Sequence, residues 1–383
     1  MKKVLFASVA LISLASAAQA ADPVKLGIGG YMNEWAGYAG NKDNLDGTSY
    51  NKFDTQDDIR VNFSGATKLD NGIGIAVEVD TNGSQGATSH TKGVNKDVQK
   101  DFLTVTSAAG TVMVGEQDNV GALIHVSAPD VAGIGGQDGN FGNWVAIRGN
   151  FADTPQRTYA GDDRSSNKVI YVTPAFHGLA AGVSYTPAVN AAATGHTTIV
   201  SSSDAAANQN GDLWVYGLSY TSEVAGVSIK ADAGSGVANL AGLSVYQGGL
   251  QLGYAGFTVG GSYLRRDVAR DPSAGLTNYR VAAKEGQSWD AGVGYATGPY
   301  GVSLSYFRGT AANLKGGSTT GVGEYHDRDY AVSLGGSYDL GPGVQLTGSL
   351  TYVDYQSGSS DLATKSNDSN YGVAAITGIA VKF

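Results

Sequence analysis

Apolar and polar residues alternate along most of this chain. In the segment DDIRVNFSG, Ile59, Val61 and Phe63 fall on one face of an extended strand, because successive side chains point to opposite sides. Arg60 and its polar neighbours fall on the other face. The same period of two recurs in GIGIAVEVD, WDAGVGY, YGVSLSY and VQLTGSLTY. This alternation predicts β-strands with one apolar and one polar face.

The segments between these strands alternate in length. Short turns are predicted at LDNG, SAAG, FHGL, TSEVAG, YAGF, ATGPY and DLGPG. Long polar stretches lie near residues 39–56, 83–97, 119–163, 188–210, 233–242, 267–285, 309–327 and 356–370. The pattern predicts about sixteen strands, with long loops at one end and short turns and both termini at the other.

Strands of about ten residues joined in this way are typical of an outer-membrane barrel. Lipid cannot hydrogen-bond to the backbone, so a sheet within a membrane must close on itself. The apolar face then contacts lipid, and the polar face lines a water-filled lumen that side chains cannot fill. The predicted fold class is therefore all-β, a transmembrane antiparallel β-barrel.

A secreted β-sandwich or a solenoid also alternates, because one face of each strand packs on a core. The absence of a sequence repeat of fixed period argues against a solenoid. Aromatic residues near the predicted strand ends favour the membrane barrel, which places an aromatic girdle at each interface. These residues are Trp35, Tyr38, Tyr254, Trp289, Tyr300, Tyr306, Tyr338 and Tyr352.

The N-terminal segment and the composition agree with export. Lys2 and Lys3, an apolar run and the sequence AQA predict a signal peptide over 1–20, which leaves a barrel domain over 21–383. With 56 glycines, 21 tyrosines and no cysteine, an exported chain needs a stabilising network other than disulfides. The net charge of −9 argues against nucleic acid as a partner.

Three segments carry a family resemblance. The segment GTVMVGEQDNVG (110–121) is similar to the strand that enters the third loop of Gram-negative general porins, and RSSNKVIYVTPAFHGLAAGVSY (164–185) to their conserved strand–turn–strand. The last segment, YGVAAITGIAVKF, resembles the signal that outer-membrane barrels present to the barrel-assembly machinery, with Tyr371, Val381 and Phe383 on its apolar face. The chain thus resembles a general porin over its mature length, which implies a homotrimer.

The stretch 119–163 is too apolar for a solvated loop, since it contains Val120, Ile124 and Trp144. It is expected to fold into the barrel, and the resemblance implies that it forms a constriction there. We expect charges on this loop and on the facing wall to set ion preference, although each charge is also compatible with a solvated loop position. The candidates are Arg60, Glu78, Glu116, Asp118, Asp130, Asp138, Arg148, Asp153, Arg157, Arg164 and Lys168.

Three of these candidates bear on the sign of the preference. Alternation places Arg60 and Glu78 in the lumen. Where porins of this type often have Gly-Arg-Gln, this chain has Gly115-Glu116-Gln117, so a basic position is acidic here. The acidic surplus favours a weak preference for cations.

Other chemistry is not indicated. The five histidines have no metal-ligand spacing, and no serine and histidine share an inferable catalytic site. We therefore expect no enzyme activity, no metal and no cofactor.

The predicted function is passive diffusion of ions and small hydrophilic solutes across the outer membrane of a Gram-negative bacterium. The alternatives are a substrate-specific channel for sugars, carboxylates or phosphate, and a non-conducting adhesin or receptor barrel. The expected partners are outer-membrane lipid and lipopolysaccharide, further copies of the chain, periplasmic chaperones and the barrel-assembly machinery.

Overall fold

A computed structural model describes residues 23–42, 49–83, 98–133, 140–148, 151, 157–161, 163, 166–187, 213–238, 243–268, 285–314 and 324–383. Within these residues, sixteen antiparallel strands form one closed barrel in which each strand pairs with its sequence neighbours and the first pairs with the last. The strands are β1 Lys25–Asn41, β2 Phe53–Lys68, β3 Gly74–Asn82, β4 Val98–Ser107, β5 Gly110–Glu116, β6 Asn167–Val172, β7 Leu179–Thr186, β8 Leu213–Val224, β9 Val227–Ala238, β10 Leu243–Tyr254, β11 Phe257–Val268, β12 Gly286–Thr297, β13 Tyr300–Leu314, β14 Glu324–Gly341, β15 Val344–Gln356 and β16 Asn370–Lys382.

Among the described residues, the helical elements are few and short. They are α1 (Val120–Ile124), α2 (Leu362–Asp368) and a 3₁₀ helix (Asn140–Asn143). None of the helices in the described part of the chain has the length and apolar character to cross a membrane.

The predicted short turns are confirmed. The turn between β8 and β9 is Ala225-Gly226, and the turn between β10 and β11 is Ala255-Gly256, with positive φ at all four residues. Two consecutive positive φ values define the two-residue hairpin turn whose twist matches that of the strands. Two predicted loops are shorter than expected. β9 continues to Ala238 instead of ending near residue 233, because alternation persists there in residues too small to show apolar contrast. The loop predicted near 309–327 is shortened from both sides, because β13 continues to Leu314 and β14 begins at Glu324.

The outward face of the barrel is apolar between two aromatic rows. The register sets Leu304, Leu334 and Leu350 side by side on β13, β14 and β15, and each is about half exposed, at 49%, 50% and 52%. Aromatic residues flank this row towards both strand ends. Tyr330 and Tyr338 on β14 are eight residues apart, which is about 26 Å along a strand. At a strand tilt of about 35–45°, this distance spans roughly 18–21 Å of membrane height, which lies within the apolar band of about 25 Å of a barrel in the outer membrane.

The aromatic girdle excludes one residue that the sequence assigned to it. Trp35 faces the lumen, where it packs with Trp144, Ala39 and Ile376. Its position near a strand end resembles that of a girdle residue, but its parity in β1 is that of the inward residues. Alternation in β16 is as predicted: Tyr371 and Val373 face outward, while Ile376 is buried against the long loop inside the barrel.

Candidate channel constriction

The connection between β5 and β6, residues 117–166, enters the barrel, and we call it the inner loop. It begins with α1, which packs against the inward faces of β7 and β8. Val120 and Ile124 lie over Gly182 and Gly217, and a side chain at either glycine would collide with them. The inward glycines of these strands therefore make room for the helix.

Beyond α1 the inner loop crosses successive strands along a track of small residues. A Cβ at Gly249 on β10 would overlap the carbonyl of Val126, and one at Gly292 on β12 would lie 3.2 Å from Ala128. The same holds on β14, where Gly335 lies beneath Ala132. Glycine is required at position 249, where the backbone of the loop lies directly on the backbone of the wall, while Gly292 and Gly335 leave room for the small side chains of Ala128 and Ala132.

Wall side chains hold the loop through its own backbone. Asp232 Oδ1 accepts a hydrogen bond from the N–H of Val126 at 2.8 Å, and Asp290 Oδ1 accepts one from Ala128 at 3.0 Å. Ser303 Oγ accepts from Val131 at 3.0 Å. These bonds satisfy buried loop N–H groups that secondary structure does not pair. Asp232 and Asp290 are therefore anchors that lie beneath the loop.

The second half of the loop packs on β13, β15, β16 and β1. Phe141 contacts Phe307 and Tyr355, with ring centroids 5.7 and 6.4 Å apart. Trp144 lies over Gly37 on β1, and the N–H of Ala146 donates to Asn41 Oδ1 at 2.9 Å. Together with the first half, these contacts spread the loop over much of the inner circumference.

Partly exposed charges remain on the wall formed by β2–β4, which we call the uncovered wall. Arg60 on β2 pairs with Asp80 on β3 at 3.1 Å, with side chains 31% and 12% exposed. Lys100 on β4 pairs with Asp118 of the inner loop at 2.6 Å, with side chains 21% and 18% exposed. The lumen therefore narrows between an apolar, anchored loop and a charged wall.

Two further acidic side chains belong to the uncovered wall. Asp58 Oδ2 accepts a hydrogen bond from Tyr31 at 2.9 Å. Glu78 lies on the same face of β3 as Asp80 and is half-buried. Within the described residues, no group of three or more histidine, cysteine, aspartate or glutamate side chains is arranged to hold a metal ion.

The family model that describes Gram-negative porins matches residues 7–358. The chain belongs to the Gram-negative porin family. This membership and the closed barrel point to an outer-membrane channel rather than an enzyme. No curated protein matches the chain significantly.

Solved porins share the fold at low sequence identity. An anion-selective porin from Comamonas acidovorans superposes with a TM-score of 0.59 at 16% identity, and OmpT of Vibrio cholerae, in a trimer form, with 0.59 at 12%. A triple mutant of the Rhodopseudomonas blastica porin gives 0.54 at 13%. Each match covers 94% of this chain and 100% of the other. At such identity the matches concern the fold alone.

Two charges on β5 and β6 that the sequence proposed for the lumen of this porin are buried. Lys168 on β6 is buried, and its Nζ donates to the carbonyls of Gln117, Asp163 and Ser166, the last two at 2.9 and 2.6 Å. It therefore ties both ends of the loop together. Glu116 is also buried, at the end of β5.

The proposed loop charges occupy varied positions. The side chain of Asp130 accepts from the N–H groups of Ala132 and Gly133 at 3.2 and 3.1 Å and so closes a turn. Arg148 is buried, donates to the carbonyl of Lys42 and lies over the ring of Tyr50. Arg157 donates to the carbonyl of Gly161 at 2.6 Å. The remaining candidates, Asp138, Asp153 and Arg164, lie outside the described residues.

The sequence analysis did not propose four charged residues of the site in this porin. They are the two residues that anchor the inner loop, Asp232 and Asp290, and one partner of each partly exposed ion pair, Asp80 and Lys100. Alternation in β9, β12, β3 and β4 does place these four on inward faces. Parity, however, does not tell which inward residues the loop covers, and that depends on the loop's path.

Proposed function

We propose that this porin is a passive diffusion channel for ions and small hydrophilic solutes, with a weak preference for cations. The observation that carries the proposal is the charge of the uncovered wall. Arg60 and Lys100 are each paired with a carboxylate, whereas Asp58 and Glu78 form no ion pair with a described residue. Around these pairs, the four carboxylates of Asp58, Glu78, Asp80 and Asp118 outnumber the two cations, and this local negative surplus attracts cations into a narrow lumen.

The inner loop supports a fixed, rather than a closing, constriction. Its backbone is bonded to Asp232, Asp290 and Ser303, and its apolar residues are buried against the wall. A loop anchored on both halves leaves the opening permanently accessible to solutes that are small enough. This favours a general pore over a receptor barrel whose loops serve only as binding surfaces.

We also propose that the channel is a homotrimer with its contact face on β16, β1 and β2. The register pairs Glu34 with Asp57 and with Ile379 on the outward side of these strands. A carboxylate facing lipid is unfavourable, although less so towards the interface than at the membrane centre, whereas a face covered by another protein copy can pair or hydrate it. The trimer form of Vibrio cholerae OmpT, which shares the fold, supports this proposal.

The export and assembly steps belong to the same proposal. The segment 1–20 would be removed as a signal peptide, which yields a barrel domain over 21–383. Periplasmic chaperones and the barrel-assembly machinery would recognise the last strand through Tyr371, Val381 and Phe383, of which Tyr371 and Phe383 are outward and exposed. Outer-membrane lipid and lipopolysaccharide would surround the barrel.

Planar-bilayer recording of the purified chain tests the channel directly. We expect a large ohmic step, and a reversal potential in a potassium chloride gradient on the cation-selective side. Saturation of the current by one solute would favour a substrate-specific channel. The absence of any conductance from folded protein would contradict the proposal and favour an adhesin or receptor.

A further inference from the structure

The outward face of β11–β15 carries basic residues at its loop end. The register sets one polar row across these five strands, each member paired with the next. The row consists of Arg265, Gln287, Thr310, Arg328 and Gln356. The residues that alternate with it, such as Ser288 and Asp327, are buried on the inward side. The row therefore projects away from the lumen.

The adjacent row, one step towards the membrane centre, places a third arginine among aromatic rings. Arg308 on β13 is opposite Trp289 on β12 and Tyr330 on β14. Tyr306, two residues along β13, lies 4.9 Å from Trp289 and 6.3 Å from Tyr330 between ring centroids. An aromatic girdle marks the level of the lipid headgroups, so these guanidinium groups lie at that level.

Two of the three arginines are electrostatically available. Arg265 is paired with Asp267 at 2.8 Å. Arg308 and Arg328 form no ion pair with any residue that the structure describes, and Arg328 is exposed. They are diagonal neighbours across two paired strands, which places their Cα atoms about 7–8 Å apart. The nearby Asp354 accepts instead from Tyr330 and Gln356, at 3.0 and 3.1 Å.

The basic character of this patch is local. Outward charges on the opposite side of the barrel are acidic, as in Glu34, Asp57 and Asp101. The whole chain has a net charge of −9. An unpaired arginine pair at the membrane interface therefore requires its own explanation.

We propose that Arg308 and Arg328 bind the phosphate group of a phosphorylated lipid headgroup in the outer leaflet, with Arg265, Gln287 and Thr310 around it. Guanidinium groups match phosphate with paired N–H donors. The aromatic rings beside them hold the same lipid at its acyl boundary. The inference rests on the outer-membrane location in the proposed function, and it adds a lipid site that the channel activity does not require.

The test measures lipid binding by the full-length porin in detergent, using bis-phosphorylated lipid A and the same lipid after phosphatase treatment. Wild type is expected to bind the phosphorylated form about tenfold or more tightly. The double variant Arg308→Gln/Arg328→Gln is expected to lose roughly a hundredfold in affinity for that form only. Lys365→Gln, which removes an exposed charge from α2, serves as the matched control and keeps wild-type binding.

Four results would overturn the lipid site. The first is equal binding of both lipid forms by the wild type, which is decisive even if the double variant does not fold. The second is wild-type binding by the folded double variant, and the third is an equal loss of affinity in Lys365→Gln. Competition by inorganic phosphate at millimolar concentration would assign the site to free phosphate instead. Conductance distinguishes failure of the lipid site from failure of the proposed channel. A wild-type protein that conducts ions but binds both lipid forms equally refutes only the lipid site.

Discussion

The inner surface of the barrel has two regions that use the same residue types in opposite ways. On β6–β12, charged side chains such as Lys168, Asp232 and Asp290 are buried and bond to the backbone of the inner loop. On β2–β4, Arg60 and Lys100 are partly exposed and pair with carboxylates across strands or with the start of the loop. The comparison teaches that inward parity alone does not make a residue part of the channel surface. We propose that a charge under the loop stabilises the structure, whereas a charge beside it acts on passing ions.

Replacement of a buried lysine by methionine, compared with the same replacement of a partly exposed lysine, should distinguish the two regions most strongly. Lys168→Met should lower the stability of the folded barrel by about 3–5 kcal/mol, because three carbonyls and Asp163 lose their buried cation. Its ion preference should stay unchanged. The measurement is the temperature at which the folded band is lost on a gel.

Lys100→Met is the matched partner of that variant. It should alter stability by less than about 1 kcal/mol, since its ion pair is partly hydrated, and should shift the reversal potential towards cations. The opposite pattern, with selectivity lost at Lys168 and stability lost at Lys100, would contradict the comparison.

Removal of the loop anchors should have the next largest effect. In the double variant Asp232→Ala/Asp290→Ala, the N–H groups of Val126 and Ala128 lose their acceptors, at about 1–3 kcal/mol each. We expect a noisier current and faster protease cleavage within the inner loop. Asp58→Ala on the uncovered wall should leave both readouts at the wild-type level. A quiet current and a protected loop in the double variant would exclude the anchoring role.

Arg60→Ala should change conduction with a small cost in stability. Loss of this guanidinium leaves Asp80 without its pair and adds negative potential to the lumen, so the reversal potential should move further towards cations. The conductance should rise slightly because a long side chain is lost. The measurement is bilayer recording in a potassium chloride gradient, and an unchanged reversal potential would count against a lumen position for Arg60.

Glu78→Gln should produce the smallest change, in the opposite direction. Its carboxylate is half-buried and forms no ion pair with a described residue, so its loss removes one negative charge from the uncovered wall. A small shift towards anions is expected in the same recording. Asp70→Asn, at an exposed turn between β2 and β3, is the matched control and should give the wild-type value.

The barrel itself was largely predictable from the sequence. The number of strands and the side to which each residue points follow from a period of two. The predicted turns were also found, and His177-Gly178 and Ala255-Gly256 adopt the positive φ values of hairpin turns. The exceptions have local causes. Trp35 is an aromatic residue near a strand end, as girdle residues are, but its position in the alternation of β1 makes it point inward. The end of β9 consists of residues too small to show an alternation of apolar and polar positions.

The candidate site was less predictable, because it depends on where one long loop lies. The apolar character of Val120 and Trp144 correctly indicated that the loop is buried. Nothing in the sequence around Lys168 indicates that both ends of that loop converge on its ammonium group. The inward glycines at positions 217, 249 and 292 do follow the loop's path, but this can be recognised only once the pairing of the strands is known.

The account's central claim, that water fills the cylinder beside the inner loop while lipid lies outside, has one direct test. The chain contains no cysteine, so single-cysteine variants report one position each. A charged thiol reagent should react quickly with Glu78→Cys and reduce the current, and should leave Ser262→Cys beneath the loop and Leu334→Cys on the outward face unmodified. Reaction of Leu334→Cys as fast as that of Glu78→Cys, in the reconstituted membrane, would contradict the claim.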